Sequence, residues 1–352
     1  MVSGRWWEIV PTSIQQKILI IGPAWVGDMV MAQSLFKLIK QTNPTAIIDV
    51  LAPAWTFSLL TRMPEVREAI ELPLIHGELG LRKRYQVAKT LRKEAYDQAI
   101  ILPNSFKSAL IPWFAQIPLR TGWLGEYRYF VLNDRRQLDK QRYPLMVDQF
   151  MALGLPKNAV FPQQIFHPAL TVSAGSQEAV LAKCELSQTK RPILAICPGA
   201  EFGPSKRWPE AHYAAIANQK IKQGWEVWLL GSQKDALITE KIMALTEERC
   251  QNIAGRLNLA ETIDLLSLVS GVITNDSGLM HIAAALKKPL IALYGSTSPA
   301  FTPPLSDAAT VLKLNLACQP CFQRRCPLEH HRCLRDLLPE RVATAMEKWE
   351  IE

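Results

Sequence analysis

Contiguous apolar runs alternate along this chain with segments in which apolar residues recur every three to four positions. The runs KILIIG (17–22), AIIDVLA (46–52), REAIELP (67–73) and QAIILP (98–103) read as strands of a parallel sheet. Between the first two, Val30, Met31, Leu35, Leu38 and Ile39 repeat at helical spacing. A basic helix carrying Arg82, Lys83, Arg84, Lys89, Arg92 and Lys93 precedes the fourth run. The alternation restarts at PILAICPGA (192–200) and continues through EVWLLGS (226–232), GVITNDS (271–277) and PLIALYG (289–295). Helices are predicted over 210–223, 235–248 and 259–270, with a last one over 339–349. Strand–helix alternation of this kind predicts an α/β fold with parallel sheets.

The length of 352 residues fits two domains better than one. The segment 165–190, with PQQIFHP across its start and SAGSQ within it, reads as the connection. The expected division is an N-terminal extension over 1–16, a first domain over 17–170, a second over 190–335, and a C-terminal helical segment over 336–352 able to fold back on the first domain. No internal sequence repeat is visible, although both halves share an architecture. Two such domains facing each other make a cleft, with ligands at the carboxyl ends of the strands.

Composition narrows the function classes. With 48 % hydrophobic and 20 % charged residues the chain is neither disordered nor fibrous. No apolar run is long enough to cross a membrane, and residues 1–16 lack the apolar stretch of a signal peptide, so a cytoplasmic location is expected. The net charge of +8 is uneven. Residues 1–167 hold 20 basic and 13 acidic side chains, whereas 168–352 hold 20 and 19. The first half therefore suits an anionic partner, unless its charge serves only solubility.

Three segments carry candidate chemistry. Gly22-Pro-Ala-Trp-Val-Gly27-Asp28 follows a strand and opens a helix. It lacks both the dinucleotide fingerprint and the P-loop Lys, which argues against those two sites. Asp28 then reads either as a carboxylate at a helix N-terminus or as a catalytic base. Thr274-Asn-Asp-Ser-Gly-Leu-Met-His281 ends a strand and begins a helix whose free N–H groups suit a diphosphate. Gly278 permits close approach, Ser277 adds a hydroxyl, and His281 lies one turn on. Pro198-Gly-Ala-Glu-Phe-Gly-Pro-Ser-Lys206-Arg-Trp-Pro209 presents Lys206 to the same kind of anion, or is merely a basic loop before a helix.

Seven cysteines are present, of which Cys318, Cys321, Cys326 and Cys333 cluster around His330 and His331. Their spacing matches no common zinc module. Packed, reduced thiols are the preferred reading, with a structural zinc as the alternative.

The three segments, together with LPNSFKSALIPWFAQIPLRTGW, resemble the ADP-heptose:lipopolysaccharide heptosyltransferases from about Lys17 to Val342. Within that family the similarity is greatest to the branch whose acceptor already bears one heptose. The resemblance implies a GT-B fold, two Rossmann-like domains facing a cleft, with the acceptor on the first and the nucleotide sugar on the second. It implies inverting transfer with ADP-heptose as donor substrate and no required cofactor or catalytic metal. Asp28 then matches the family's catalytic aspartate and Lys206 the basic residue at the donor diphosphate. Gly27, Ser205, Asp276, Ser277, Gly278 and His281 are the implied donor-binding residues. Asn104, Ser105, Lys107, Arg120 and Arg128, with the 82–84 basic run, are candidates for an acceptor made anionic by Kdo and phosphate. The implied partners are ADP-heptose and the heptosylated Kdo–lipid A inner core, with peripheral contact at the inner membrane and no nucleic acid. Another acceptor or ADP-sugar within the family, and a non-catalytic sugar-nucleotide-binding protein, are the competing readings.

Overall fold

The computed structural model describes residues 15–74, 77–187 and 189–350. Residues 1–14 of the expected extension lie outside the described residues. The chain forms two compact units: one comprises residues up to Ala24 with Ala32–Tyr143 and Val147–Phe166, the other Trp25–Met31, Pro144–Met146 and residues from His167 onward.

The first unit is built on β1 (Lys17–Ile21), β2 (Ile47–Ala52), β3 (Glu68–Glu71), β4 (Gln98–Ile101), β5 (Leu119–Trp123) and β6 (Asp134–Arg136). They form one sheet in the order β3-β2-β1-β4-β5-β6, and every pairing is parallel. The second unit contains β7 (Ile193–Cys197), β8 (Glu226–Leu229), β9 (Gln251–Asn252), β10 (Gly271–Asn275), β11 (Leu290–Tyr294) and β12 (Ala309–Lys313). Their order, β12-β11-β10-β7-β8-β9, repeats that of the first sheet, again all parallel. This is the doubly wound order, whose switch points lie between β1 and β4 and between β7 and β10.

The central strands are mostly apolar because helices cover both faces. Leu19, Ile20, Leu194, Ile196, Ile273 and Ile291 are wholly buried. The segment expected as a connection contains a helix, Ala174–Cys184, which belongs to the second unit. Ser173 caps it by accepting from the Ser176 N–H, and Val180, Leu181 and Cys184 face inward. Its short apolar stripe is diluted by Gly, Ser and Gln, which is why it reads as a linker. The C-terminal helix Pro339–Met346, for which a return to the first domain is the expectation, buries Val342 and Met346 in the second unit's core. It packs there beside the helix Glu210–Lys222. Among the described residues no helix is long and apolar enough to cross a membrane.

Candidate active site

All three chemical segments follow a switch-point strand. Gly22–Asp28 leaves β1, Pro198–Pro209 leaves β7, and Asp276–His281 leaves β10. The turn beginning at Trp25 belongs to the same compact unit as the other two. Its helix, Val26–Thr42, starts against the start of the helix Gly278–Ala285. Contact is so close that a Cβ on Gly27 would lie 2.7 Å from His281 Cδ2, and one on Gly278 would lie 2.9 Å from Val26 Cγ1. Glycine at both positions lets two helix N-termini converge. The first-turn N–H groups of a helix have no intrahelical partner, so the meeting point is electropositive.

Four ionisable groups sit around it. Lys206 Nζ is 2.6 Å from Asp276 Oδ2, with both side chains largely buried. Thr297 Oγ1 donates to the same carboxylate oxygen at 2.6 Å. Lys206 Nζ also lies 4.9 Å from the centre of the Phe202 ring, which fixes the ammonium from a second side. Burial pushes the Asp28 carboxyl up to about 6; Lys206 opposes the shift and Asp276 adds to it. His281 is buried, and the loss of hydration pulls it down to about 4 despite Asp276. At neutral pH the site thus holds an ionised but easily protonated Asp28 and a neutral imidazole. Ser277 Oγ lies 3.2 Å from Thr274 Oγ1 and does not cap its own helix.

The loop after β7 is anchored by Asn275, a residue of the Thr274–His281 motif to which the sequence assigns no role. Asn275, at the end of β10, is wholly buried. Its Oδ1 accepts from the Trp208 N–H (3.0 Å) and the Tyr213 hydroxyl (2.9 Å), and its Nδ2 donates to Pro198 O (2.7 Å). Asn275 therefore ties both ends of the Lys206 loop to β10. A polar pair, Thr274 and Asn275, at the end of a buried strand was the available signal. Ser205, expected at the donor, is buried and hydrogen-bonds Ser296 Oγ (3.0 Å) and the Gln323 carbonyl.

The acceptor candidates are dispersed. Asn104 is exposed, and Ser105 and Lys107 are half-buried, all after the carboxyl end of β4. Arg120 lies near the amino end of β5, with its guanidinium donating to Val131 O (2.8 Å) and Ile117 O (2.6 Å). Arg128 is wholly buried and donates to Pro103 O (2.8 Å), Asn104 Oδ1 (3.3 Å) and the Trp123 carbonyl. These two arginines brace loops of the first unit, and Arg128 holds the segment that presents Asn104. Arg84 also turns inward, donating to Leu79 O at 2.7 Å.

Cys318, Cys321, Cys326 and Cys333 line one cavity of about 20 Å³ with Ser205 and both histidines of the loop. Burial, reinforced by the other three thiols, pushes Cys333 up to about 11. Among the described residues no three His, Cys, Asp or Glu side chains are arranged to hold a metal ion.

Residues 84–332 match the model of glycosyltransferase family 9 (heptosyltransferase). The chain is 49 % identical to lipopolysaccharide heptosyltransferase 2 of Salmonella typhimurium, over 93 % of this chain and 96 % of that one. It is 51 % identical to lipooligosaccharide heptosyltransferase 2 of Haemophilus influenzae, over 92 % and 96 % respectively. The structure of the E. coli ADP-heptose LPS heptosyltransferase II superposes with a TM-score of 0.85 at 45 % identity, covering 96 % of this chain and 99 % of that one. The fold is the α/β GT-B fold, and the chain belongs to glycosyltransferase family 9, the heptosyltransferases.

Proposed function

We propose that this glycosyltransferase moves L-glycero-D-manno-heptose from ADP-heptose to the first heptose of the lipopolysaccharide inner core, the reaction of heptosyltransferase II. The observation that carries the reading is the constellation at the paired helix starts, where Asp28, Lys206, Asp276, Ser277 and His281 meet. Its support is near 49 % identity with relatives of that name over almost the whole chain.

In the proposed step an acceptor hydroxyl oxygen attacks the anomeric carbon of the donor heptose. The bond from that carbon to the diphosphate oxygen breaks, and ADP leaves with the electron pair. The acceptor proton passes to Asp28, whose affinity near pH 6 is high for a carboxylate and suits a base working at neutral pH. Attack opposite the leaving group inverts the anomeric centre. Charge that develops on the leaving diphosphate is met by Lys206, the Ser277 hydroxyl and the first-turn N–H groups of Gly278–Ala285. Neutral His281 can donate an N–H to the same anion without adding charge. Asp276 and Thr297 hold Lys206 and are positioning residues.

No cofactor or metal is required in this scheme, because fixed protein donors balance the diphosphate. The lipid-linked acceptor places the work at the cytoplasmic face of the inner membrane. Its Kdo and phosphate charges suit the basic first half of the chain. Mass spectrometry of the product tests the acceptor assignment. An inner core bearing one heptose should gain one more, while a core bearing none should be unchanged. Equal or preferential reaction of the heptose-free core would assign the chain to a different step of the same family.

A further inference from the structure

The exit of β2 carries an exposed aromatic side chain to which the transfer scheme assigns no part. The strand ends at Ala52, and Ala54–Thr56 form a single 3₁₀ turn. Thr56 is wholly buried and its hydroxyl donates to Pro53 O at 2.8 Å, which fixes the turn. Trp55, in its middle, is 52 % exposed. Its indole N–H donates to Ala24 O at 3.0 Å. That carbonyl belongs to the turn after β1, and Asp28 lies four residues further along the chain. A second bond, from the Gly22 N–H to Leu51 O at 2.9 Å, holds the start of the same turn to β2. The indole is therefore anchored beside the segment that leads to Asp28, and its one polar atom is already engaged. What it leaves to solvent is apolar ring. β2 and β4 flank β1 in the sheet, so Trp55 and the Asn104 loop follow the two strands on either side of the β1 exit.

We propose that Trp55 binds the acceptor, its indole face stacking on the C–H face of the sugar ring whose hydroxyl attacks. The inference rests on the transfer to a core heptose proposed above. The sign of the ring decides which part of the acceptor it takes. An aromatic face carries partial negative charge, so it attracts the polarised C–H groups of a neutral sugar and repels carboxylates and phosphates. A core heptose suits it, whereas the Kdo and phosphate groups need cations. Covering a half-exposed indole with a sugar removes apolar area from water. Because the hydrogen bond to Ala24 already holds the ring, little side-chain freedom is lost on binding. A sugar held on a fixed face beside the turn to Asp28 also has its hydroxyls oriented, which a base needs.

Calorimetry tests this with the deacylated, water-soluble inner core bearing one heptose, titrated into the chain in the presence of ADP. Trp55→Ala should weaken core binding by about tenfold or more, with ADP-heptose affinity and thermal unfolding unchanged. Trp55→Phe keeps a flat ring without the N–H, and should retain core affinity within about threefold. In kinetics the Trp55→Ala loss should appear in the acceptor KM more than in kcat, and slow ADP release without acceptor should match the parent. Should Trp55→Ala lower the melting temperature, Trp55→Leu takes its place with the same expectation, since it keeps apolar bulk without a ring. Core affinity equal to the parent in the variant lacking the ring would overturn the proposal. An equal loss in Trp55→Phe would also overturn it, leaving Trp55 only its hydrogen bond to Ala24. Failure of the parent itself to bind the core would instead remove the acceptor reading, and this inference with it.

Discussion

At the scale of single residues the account turns on Asp28 and Lys206. Replacing Asp28 by Asn keeps the shape and removes the base. Transfer should fall by about 10²–10⁴-fold while ADP-heptose binding by calorimetry is retained. A variant within about tenfold of the parent would remove Asp28 from that role. Because burial raises this carboxyl to about 6, kcat/KM should decline as pH is lowered through about 6 rather than through the ordinary carboxylate range near 4. The same shift has a stability sign. The folded chain binds this proton more tightly than the unfolded chain does, so the Asp28 contribution to stability decreases as pH rises from 3.8 to about 6. His281, held near 4, should leave no inflection in kcat/KM above that value. Lys206→Ala should weaken ADP-heptose binding and lower the rate, and should lower the melting temperature as well. Removing one partner of a buried ion pair costs about 3–5 kcal/mol, since Asp276 would lose its ammonium partner and keep the Thr297 hydroxyl. Unchanged donor affinity in calorimetry would take Lys206 out of the donor site.

At the scale of elements, the paired helix starts are the device on which the proposed site rests. Gly27→Ala tests this directly, because the added methyl would meet the His281 ring at 2.7 Å and something must move. The expected result is loss of most transfer activity with a modest change in melting temperature, read by kinetics and thermal unfolding together. Activity equal to the parent would mean that the close approach is dispensable. The central strands and the helices over them were legible in the sequence because both-face burial leaves long apolar runs. β5 and β6 were not, since LRTGW and DRR carry the polar and charged residues tolerated toward a sheet edge. β9 has two residues and leaves no periodicity to read. Within the candidate site, the positions of Asp28, Lys206 and the Asp276–His281 segment after strands and before helices were legible. Asn275 and Thr297 were not. Their roles come from contacts with Trp208, Tyr213 and Asp276 that are distant in sequence. For Arg120 and Arg128 the positive charge suggested an anionic ligand, and what the sequence did not show is that their guanidinium groups also hold backbone carbonyls.

At the scale of the whole molecule, charge and metal content are the properties to reconcile with the reaction. The excess of basic residues lies almost entirely in the first half, the half assigned to the anionic acceptor. The four clustered cysteines lie in the second unit around a small cavity that Ser205, the neighbour of Lys206, also lines. Because the proposed scheme uses no metal, EDTA should leave transfer intact, checked by assay before and after chelation with elemental analysis of the purified chain. Activity lost to EDTA and restored by Mg²⁺ or Zn²⁺ would contradict the metal-independent scheme. The most direct test of the central claim is ADP release from ADP-heptose, measured with and without a purified inner-core acceptor that already bears one heptose. The account predicts slow release alone and release accelerated by orders of magnitude when that acceptor is present. Release that is indifferent to the acceptor, or absent with it, would contradict the assignment.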